Sequence, residues 1–445
     1  MRSSIPMKWR LTPFQLIILG FIGLILLGAL LLMLPFASRS GQVTAFGDAL
    51  FTATSAACVT GLVVQDTASY WSGFGQAVIL VLIQIGGLGV VTVAASFALL
   101  SGRKISLMQR SAMQESLAAP QMGGLVRLTG FILCMTLAIE LLGALVMMPV
   151  FCQDFGARGV WMAVFHSISA FCNAGFDLMG TAEAPFASLV SYASHPVITL
   201  TIMLLIVMGG IGFLTWDDVR ANGIHLRRYR MQSKVILVMT ALLIILPAAY
   251  FFLVDFAALP VGSRLLASLF QAVTPRTAGF NTVDLTQLTG PGQMLFIVLM
   301  LIGGSPGSTA GGMKITTVAV LFANAMAVFG RREAPHYFGR RLENSAVHSA
   351  ATILTMYLCL FLAGAWIISA SEELPMSVCL FESASAIGTV GLSLGLTPGL
   401  GTASRIVLIL LMFFGRVGGL TLIYAALSTT QKRPSKLPLD RITVG

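Results

Sequence analysis

The stretch at residues 51–66, FTATSAACVTGLVVQD, breaks the apolar character of the first hundred residues of the chain. Small side chains lead up to Thr60 and Gly61, and a long apolar segment lies on each side of them. Such residues do not favour a helix that crosses a membrane, because glycine and small polar residues lower both its hydrophobicity and its helical propensity. The stretch therefore predicts a turn between two apolar helices.

The chain has the composition of an integral membrane protein. Of its 445 residues, 56% are hydrophobic and 10% are charged, and the mean hydropathy is +0.89. Apolar runs of about 20 residues recur along it, which is the length that spans the hydrocarbon core of a bilayer. The first run, at about residues 14–36, is too long for the core of a signal peptide and predicts a retained helix. These runs leave no room for a soluble catalytic domain.

The distribution of basic residues predicts the topology. Twenty of the 27 Lys and Arg residues fall in five segments, at residues 2–10, 103–127, 220–234, 331–341 and 432–441. Cytoplasmic loops carry such an excess of Lys and Arg, so these segments and both termini are predicted to be cytoplasmic. The net charge of +10 thus reflects topology and does not indicate a nucleic-acid partner.

The opening stretch recurs four times along the chain. The related stretches are ALFTATSAACVTGL (49–62), AVFHSISAFCNAGF (163–176), SLFQAVTPRTAGF (268–280) and CLFESASAIGTVGL (379–392). Their glycines, Gly61, Gly175, Gly279 and Gly391, are 114, 104 and 112 residues apart. Such a period predicts tandem repeats of one unit, each containing an apolar helix, a short loop and a second apolar helix.

The predicted architecture is an all-α polytopic membrane protein with eight spanning helices. Its repeats cover 11–105 (pore loop near 49–66), 122–222 (pore loop near 163–177), 232–330 (pore loop near 268–284) and 345–430 (pore loop near 379–395), followed by a cytoplasmic tail at 431–445. Both helices of each repeat end inside, so the short loop enters the membrane from outside and returns. Irregular backbone survives there only when it lines a cavity or is buried in protein. Four such loops are predicted to surround one pore with pseudo-fourfold symmetry.

The loop tips have the chemistry of a cation filter. Backbone carbonyls can replace the water shell of a cation, and glycine allows the positive φ that turns those carbonyls inward. The predicted filter comprises Val59, Thr60, Gly61, Asn173, Ala174, Gly175, Thr277, Ala278, Gly279, Thr389, Val390 and Gly391. Asp66, Asp177 and Asp284 follow the glycines and are predicted carboxylates of an outer vestibule. Any single tip, taken alone, is also explained by an ordinary tight turn.

The four filter segments resemble those of the Ktr/Trk/HKT superfamily of K⁺ transporters over almost the whole chain, most closely the KtrB type of pore subunit. The resemblance implies K⁺ transport in the bacterial cytoplasmic membrane, a homodimer, and gating by a cytosolic, nucleotide-binding KtrA-like ring. In this family, glycine in all four filters accompanies K⁺ preference and serine in the first accompanies Na⁺ permeation, so Gly61 favours K⁺. The sequence leaves open whether transport is passive or Na⁺-coupled, and implies no cofactor bound by the chain itself.

A gate is predicted below the filter. The second helix of each repeat carries a glycine pair, at 86–87, 209–210, 303–304 and 418–419. The simplest interpretation of such pairs is close packing between helices. The third pair opens GGSPGSTAGGMK, where glycines and a proline interrupt the helix, and the resemblance identifies this segment as an intramembrane gate. The predicted gate comprises Gly303, Gly304, Ser305, Pro306, Gly307, Ser308, Thr309, Ala310, Gly311, Gly312, Lys314 and Arg416.

Three further ionisable residues lie in apolar segments. A charge such as Arg416 costs about 2.5–3.5 kcal/mol at the centre of a spanning helix, so it is predicted either to form a barrier to cations or to find a structural partner. Glu382 is predicted to brace the fourth filter. The sequence does not assign Glu140.

Two alternatives from other classes compete with a channel-like transporter. A secondary active transporter would carry broken helices at the midplane, but it favours inverted repeats and helix N-termini at the site, whereas these repeats are parallel. A membrane enzyme finds no support, because the five His residues are scattered, and no catalytic residues are predicted. A Na⁺-permeable member of the same superfamily remains the nearest alternative.

Overall fold

The computed structural model describes residues 12–100, 106–117, 123–419 and 421, and the predicted tail at 431–445 lies outside them. Repeat 1 contains α1 (Pro13–Leu32), α2 (Phe46–Ala57), α3 (Gly73–Leu88) and α4 (Val90–Leu100), and α5 (Leu107–Leu117) follows it. Repeat 2 contains α6 (Leu125–Phe155), α7 (Arg158–Phe171), α8 (Pro196–Gly210) and α9 (Phe213–Asn222).

Repeat 3 contains α10 (Met231–Leu253), α11 (Val261–Val273), α12 (Gly290–Leu301) and α13 (Ile315–Phe329). A hairpin of β1 (His336–Tyr337) and β2 (Arg340–Arg341), paired antiparallel, links it to repeat 4. Repeat 4 contains α14 (Asn344–Glu372), α15 (Met376–Gly388) and α16 (Thr402–Val417). Short 3₁₀ turns lie at Pro35–Ala37, Val190–Tyr192, Leu226–Arg228, Leu285–Gln287 and Thr397–Gly399. The fold is that of an all-α polytopic membrane protein.

The two long helices of each repeat differ in continuity. The first helices, α1, α6, α10 and α14, are each long and apolar enough to cross a membrane. Two of the second helices are bent: α3 and α4 meet at 95°, as do α8 and α9. Among the described residues, the number of helices that could cross a membrane is four, or six if each bent pair counts as one span. Helices α12 and α13 are shorter and separated by residues 302–314, and α16 has 16 residues.

Glycine causes the bends. Gly89, Gly212 and Gly418 occupy the break points with φ of 86°, 93° and 88°, a region that residues with a side chain rarely adopt. A helix cannot continue through such a residue, so α3, α8 and α16 end at or just before these glycines.

The short helices α2, α7, α11 and α15 are the predicted re-entrant helices, and they are anchored in the protein interior. Each contains the phenylalanine that the repeat motif places nine or ten residues before the filter glycine. These residues, Phe51, Phe165, Phe270 and Phe381, are at most 1% exposed. Their burial fixes the short helices among the long ones and removes each loop from lipid, as irregular backbone at membrane depth requires.

Candidate ion pathway

The glycines of the four predicted filter segments, called the filter glycines below, form a closed ring. A Cβ atom added to Gly61 would lie 2.5 Å from the carbonyl oxygen of Ala174 in the next repeat. The same relation holds from Gly175 to Ala278 (2.8 Å), from Gly279 to Val390 (2.3 Å) and from Gly391 to Thr60 (2.2 Å). Each glycine therefore contacts the backbone of the following repeat, and the last contacts the first. The four loops surround one axis in chain order.

The filter backbone is left-handed at two positions in every repeat. The glycines have φ of 95°, 69°, 83° and 94°, and the residues two positions earlier, Val59, Asn173, Thr277 and Thr389, have φ of 56°, 58°, 69° and 50°. Such a conformation costs a residue with a side chain about 1–3 kcal/mol and persists only where the surroundings enforce it. The predicted filter residues other than glycine are all buried, with exposure of at most 1%.

Hydroxyl groups of the short helices hold this backbone. Gly61 and Gly391 donate their backbone N–H groups to the Oγ atoms of Ser55 and Ser385, both at 3.0 Å. In the other two repeats the hydroxyl donates instead, from Ser169 to the carbonyl of Phe176 (2.7 Å) and from Thr274 to that of Phe280. These hydrogen bonds, called the hydroxyl braces below, were not predicted from the sequence. A Ser or Thr five or six residues before each filter glycine is nevertheless a pattern that could have indicated them.

A cavity above the ring is lined by all four filter glycines together with Asp66 and Asp177. The carboxylate of Asp66 accepts hydrogen bonds from the backbone N–H groups of Ser69 (2.7 Å) and Phe186 (2.9 Å), so it ties the loops of repeats 1 and 2 together. Asp284 is exposed and does not line this cavity. It accepts from the hydroxyl and N–H of Thr286, and these hydrogen bonds lower its pKa.

The predicted gate loop lies directly below the filter. A Cβ atom on Gly311 would lie 2.1 Å from the Oγ1 atom of Thr389, and one on Gly312 would lie 2.8 Å from the carbonyl of Gly388. The loop is closed at its base by a hydrogen bond from the N–H of Gly303 to the carbonyl of Met313 at 2.7 Å. It thus occupies the space beneath the fourth filter segment.

Two cationic side chains bind backbone carbonyls around this loop. The guanidinium of Arg416 donates to the carbonyls of Thr309, Gly86 and Gly87, the last at 2.9 Å. The ammonium of Lys314 donates to the carbonyls of Ala310 (2.7 Å) and Gly311 (3.3 Å). In the part of the chain that the structure describes, neither forms an ion pair with a carboxylate. Both also line a second cavity, together with Gly87 and Pro306.

The glycines of the second helices pack against the short helices. Added Cβ atoms on Gly86 and Gly209 would lie 2.1 Å from the carbonyl of Ala57 and 1.9 Å from that of Phe171. In repeat 4 the equivalent contact, 2.2 Å from the carbonyl of Ile387, belongs to Gly415. The predicted equivalence of 418–419 with the other pairs was therefore wrong by three residues, because repeat 4 reads Gly-Arg where repeats 1 and 2 read Gly-Gly. Arg416 occupies the position of the second glycine.

The two intramembrane glutamates lie behind the filter. Glu382 accepts a hydrogen bond from Thr397, which follows the fourth filter segment, and this contact supports the predicted brace. Glu140 accepts from Nε2 of Gln84 at 3.3 Å and from Sγ of Cys172 at 3.9 Å, at the end of the second short helix. It therefore joins α3, α6 and α7.

Comparison with known proteins agrees with this geometry. The sequence profile of the TrkH family, described as cation transport protein, matches residues 4–435. The potassium/sodium uptake protein NtpJ of Enterococcus hirae is 39% identical over 98% of both chains. The Ktr system potassium uptake proteins B of Bacillus subtilis and Vibrio alginolyticus are 37% and 35% identical, over 95% and 97% of this chain and 95% and 94% of their own.

The fold is also similar to that of a solved structure. The potassium transporter TrkH of Vibrio parahaemolyticus superposes with a TM-score of 0.71 at 19% identity, over 95% of this chain and 86% of its own. Together with the family profile and the relatives at 35–39% identity, this agreement assigns the chain. The protein belongs to the TrkH family of cation transport proteins, as a KtrB-like pore subunit.

Proposed function

We propose that this chain takes up K⁺ across the bacterial cytoplasmic membrane through the ring of filter backbone. The observation that supports this proposal is the closed ring of contacts, in which each filter glycine lies against a backbone carbonyl of the next repeat. Rings of backbone carbonyls are the ligands that replace the hydration shell of K⁺. Asp66 and Asp177 in the outer cavity raise the local concentration of cations. Both termini are proposed to be cytoplasmic.

The second candidate is uptake of both K⁺ and Na⁺. The printed name of the Enterococcus hirae relative, potassium/sodium uptake protein, favours this alternative. Glycine at all four filter tips favours K⁺ preference by the family resemblance. Na⁺ acts either as a second transported ion or as an activator, and these two roles predict different dependences of K⁺ uptake on Na⁺.

Conduction is proposed to be controlled by the loop at residues 303–314 and by Arg416. The loop restrains flow sterically, and the guanidinium adds a positive potential on the same path. The naming of the Ktr relatives as a system supports a regulatory partner, proposed here as a cytosolic nucleotide-binding ring of the KtrA type. The pore subunit itself is proposed to be a homodimer.

The proposed function is tested by ion uptake in cells that lack their own K⁺ systems. The chain is expressed with and without a KtrA-like subunit, and initial rates of K⁺ and Na⁺ uptake are measured at matched membrane expression. We expect K⁺ uptake to exceed Na⁺ uptake and to rise with the subunit. Equal rates for the two ions would establish the mixed alternative, and uptake of neither would overturn the proposal.

A further inference from the structure

The broken second helices end with carbonyl groups that point toward the space below the filter. The last four carbonyls of a helix have no partner within it, and the helix dipole gives them partial negative charge. Here α3, α8 and α16 end close to the gate loop, at Leu88, Gly210 and Val417. Three helix ends of this kind form an environment that favours a cation.

Donors from the gate loop and the guanidinium of Arg416 bind carbonyls at these helix ends. The N–H groups of Thr309 and Ser305 donate to the carbonyls of Gly209 (3.2 Å) and Gly210 (3.0 Å). The N–H of Gly312 donates to the carbonyl of Gly415 at 3.1 Å. The helix end of repeat 1 differs, because the guanidinium of Arg416 donates to it and no N–H of the gate loop does.

Arg416 is therefore a cation bound by backbone carbonyls. Its three acceptors are the carbonyls of Gly86, Gly87 and Thr309, and no carboxylate pairs with it among the described residues. The equivalent residues of repeats 1 and 2 are Gly87 and Gly210, so repeat 4 alone among these three supplies a side chain at this level. That side chain crosses from α16 to the end of α3.

We propose that this guanidinium occupies a carbonyl cation site formed by Gly86, Gly87 and Thr309, and that K⁺ takes the carbonyls of Gly86 and Gly87, which lie outside the gate loop, when the loop and Arg416 withdraw. Carbonyls at the ends of broken helices coordinate alkali cations in membrane transporters. A guanidinium and a K⁺ ion cannot share the same oxygens, because their charges repel at contact distance. This inference rests on the proposed function and adds a saturable site to it.

Competition by a soluble guanidinium ion distinguishes a carbonyl binding site from an electrostatic barrier that acts at a distance. A potential barrier is removed when Arg416 is truncated, and a small soluble cation does not restore it. An emptied carbonyl site, in contrast, binds a guanidinium ion from solution, because its oxygens still accept N–H hydrogen bonds. Methylguanidinium therefore substitutes for the missing side chain only if the site exists.

The experiment uses proteoliposomes of the purified chain with methylguanidinium inside the vesicle, and follows Rb⁺ uptake. In Arg416→Ala, we expect methylguanidinium to inhibit uptake at concentrations at least about tenfold below those that affect the wild type, since hydrogen bonds to a charged group shift a binding equilibrium by about that factor. The wild type is expected to be insensitive in that range. Tetramethylammonium, which has the same charge but no donors, is expected to have no effect.

The matched control is Arg405→Ala. Arg405 lies on the same helix, but its guanidinium pairs with Asp48 at 2.7 Å and donates to one carbonyl alone, that of Pro398 at 3.0 Å, so its loss empties no site formed by several carbonyls. We expect this variant to respond like the wild type. Gel filtration of each variant reports its folding, and Arg416→Leu, which has no hydrogen-bond donors, provides a second variant with the same expected sensitivity.

Three outcomes overturn the inference. Equal inhibition of Arg416→Ala and wild type would mean that methylguanidinium blocks elsewhere in the pore. Equal inhibition by tetramethylammonium would mean that charge alone acts. Rb⁺ uptake by Arg416→Ala that methylguanidinium does not inhibit would show that the carbonyl site does not exist, and it would leave the proposed uptake function intact. Failure of the proposed function is seen separately, as absence of Rb⁺ uptake by the wild type.

Discussion

At the scale of single residues, two constraints act on the filter glycines: the positive φ of their backbone and the carbonyl oxygen that lies close to them. Gly391 has a φ of 94°, and a Cβ atom there would lie 2.2 Å from the carbonyl oxygen of Thr60. Gly395 has a similar φ of 91°, but a Cβ atom there meets nothing within 4 Å. Backbone strain is thus common to both glycines, whereas displacement of a filter carbonyl belongs to Gly391 alone.

Substitution of the filter glycines should reduce ion selectivity more than folding. In Gly391→Ser or Gly61→Ser, the new Cβ atom pushes the neighbouring carbonyl away from its position, so we expect weaker discrimination of K⁺ over Na⁺ with most folded protein retained. The measurement is the ratio of K⁺ to Na⁺ uptake at matched expression. Gly395→Ser is the control and should keep the wild-type ratio; a ratio unchanged in Gly391→Ser would refute the prediction.

The hydroxyl braces give a second prediction. Ser385→Ala leaves the partly buried N–H of Gly391 without its acceptor, which should lower the free energy of unfolding by about 1 kcal/mol and loosen the filter. Ser383→Ala is the control, because its hydroxyl donates to the carbonyl of Phe361 away from the filter. We expect both variants to show lower thermal stability and only Ser385→Ala to show lower K⁺ selectivity. Equal selectivity in the two variants would contradict a bracing role.

At the scale of elements, the sequence predicts the loops better than the bends. The four filter tips are visible because Gly61, Gly175, Gly279 and Gly391 recur with similar neighbours. The break between α12 and α13 is visible because glycines and a proline are concentrated there. The 95° bends depend on Gly89 and Gly212, single residues in apolar runs whose composition is that of an unbroken span. Their positive φ values are a tertiary property, so no local pattern predicts them.

The gate loop is an element whose removal has a defined consequence. Deleting most of residues 303–314 removes the steric restraint that we propose for this loop, so we expect a strong rise in maximal K⁺ uptake that is largely independent of the proposed cytosolic subunit. Arg416→Ala should raise uptake less, because the loop stays in place. Arg416→Lys keeps the charge but loses the planar donors that reach Thr309 and Gly86, so its uptake separates charge from hydrogen bonding.

Maximal K⁺ uptake of the three variants is compared at matched membrane expression, with and without the subunit. Wild-type uptake in Arg416→Lys would assign the effect to charge, and uptake like that of Arg416→Ala would assign it to the carbonyl contacts. Low, subunit-dependent uptake after loop deletion would place the gate elsewhere. The glycine-rich segment would then have the packing role that Gly86 and Gly209 have.

At the scale of the whole molecule, the ring of repeats is covalently open. The chain joins repeat 1 to 2, 2 to 3 and 3 to 4, whereas repeat 4 meets repeat 1 through non-covalent contacts. Arg405 of α16 pairs with Asp48 of α2 at 2.7 Å, and Gln65 donates to the other oxygen of the same carboxylate at 3.0 Å. We call the boundary between repeats 4 and 1 the seam. This cluster of three residues lies at the seam, as do the filter contact of Gly391 and the contacts of Arg416 with Gly86 and Gly87.

The seam yields the last prediction, because its ion pair is shorter and less exposed than one within repeat 2 and should therefore couple more strongly. Arg405 and Asp48 are 26% and 19% exposed, so a double-mutant cycle of Asp48→Ala and Arg405→Ala should give a coupling of about 1 kcal/mol at most. The matched cycle uses Asp217 and Arg220, which lie three residues apart in repeat 2 at 3.7 Å with Arg220 53% exposed, and should give almost none. Both are measured by denaturation of the purified protein. Equal couplings in the two cycles would mean that the filter and the apolar contacts close the seam without this pair, and the variants would then be expected to keep the wild-type ion selectivity.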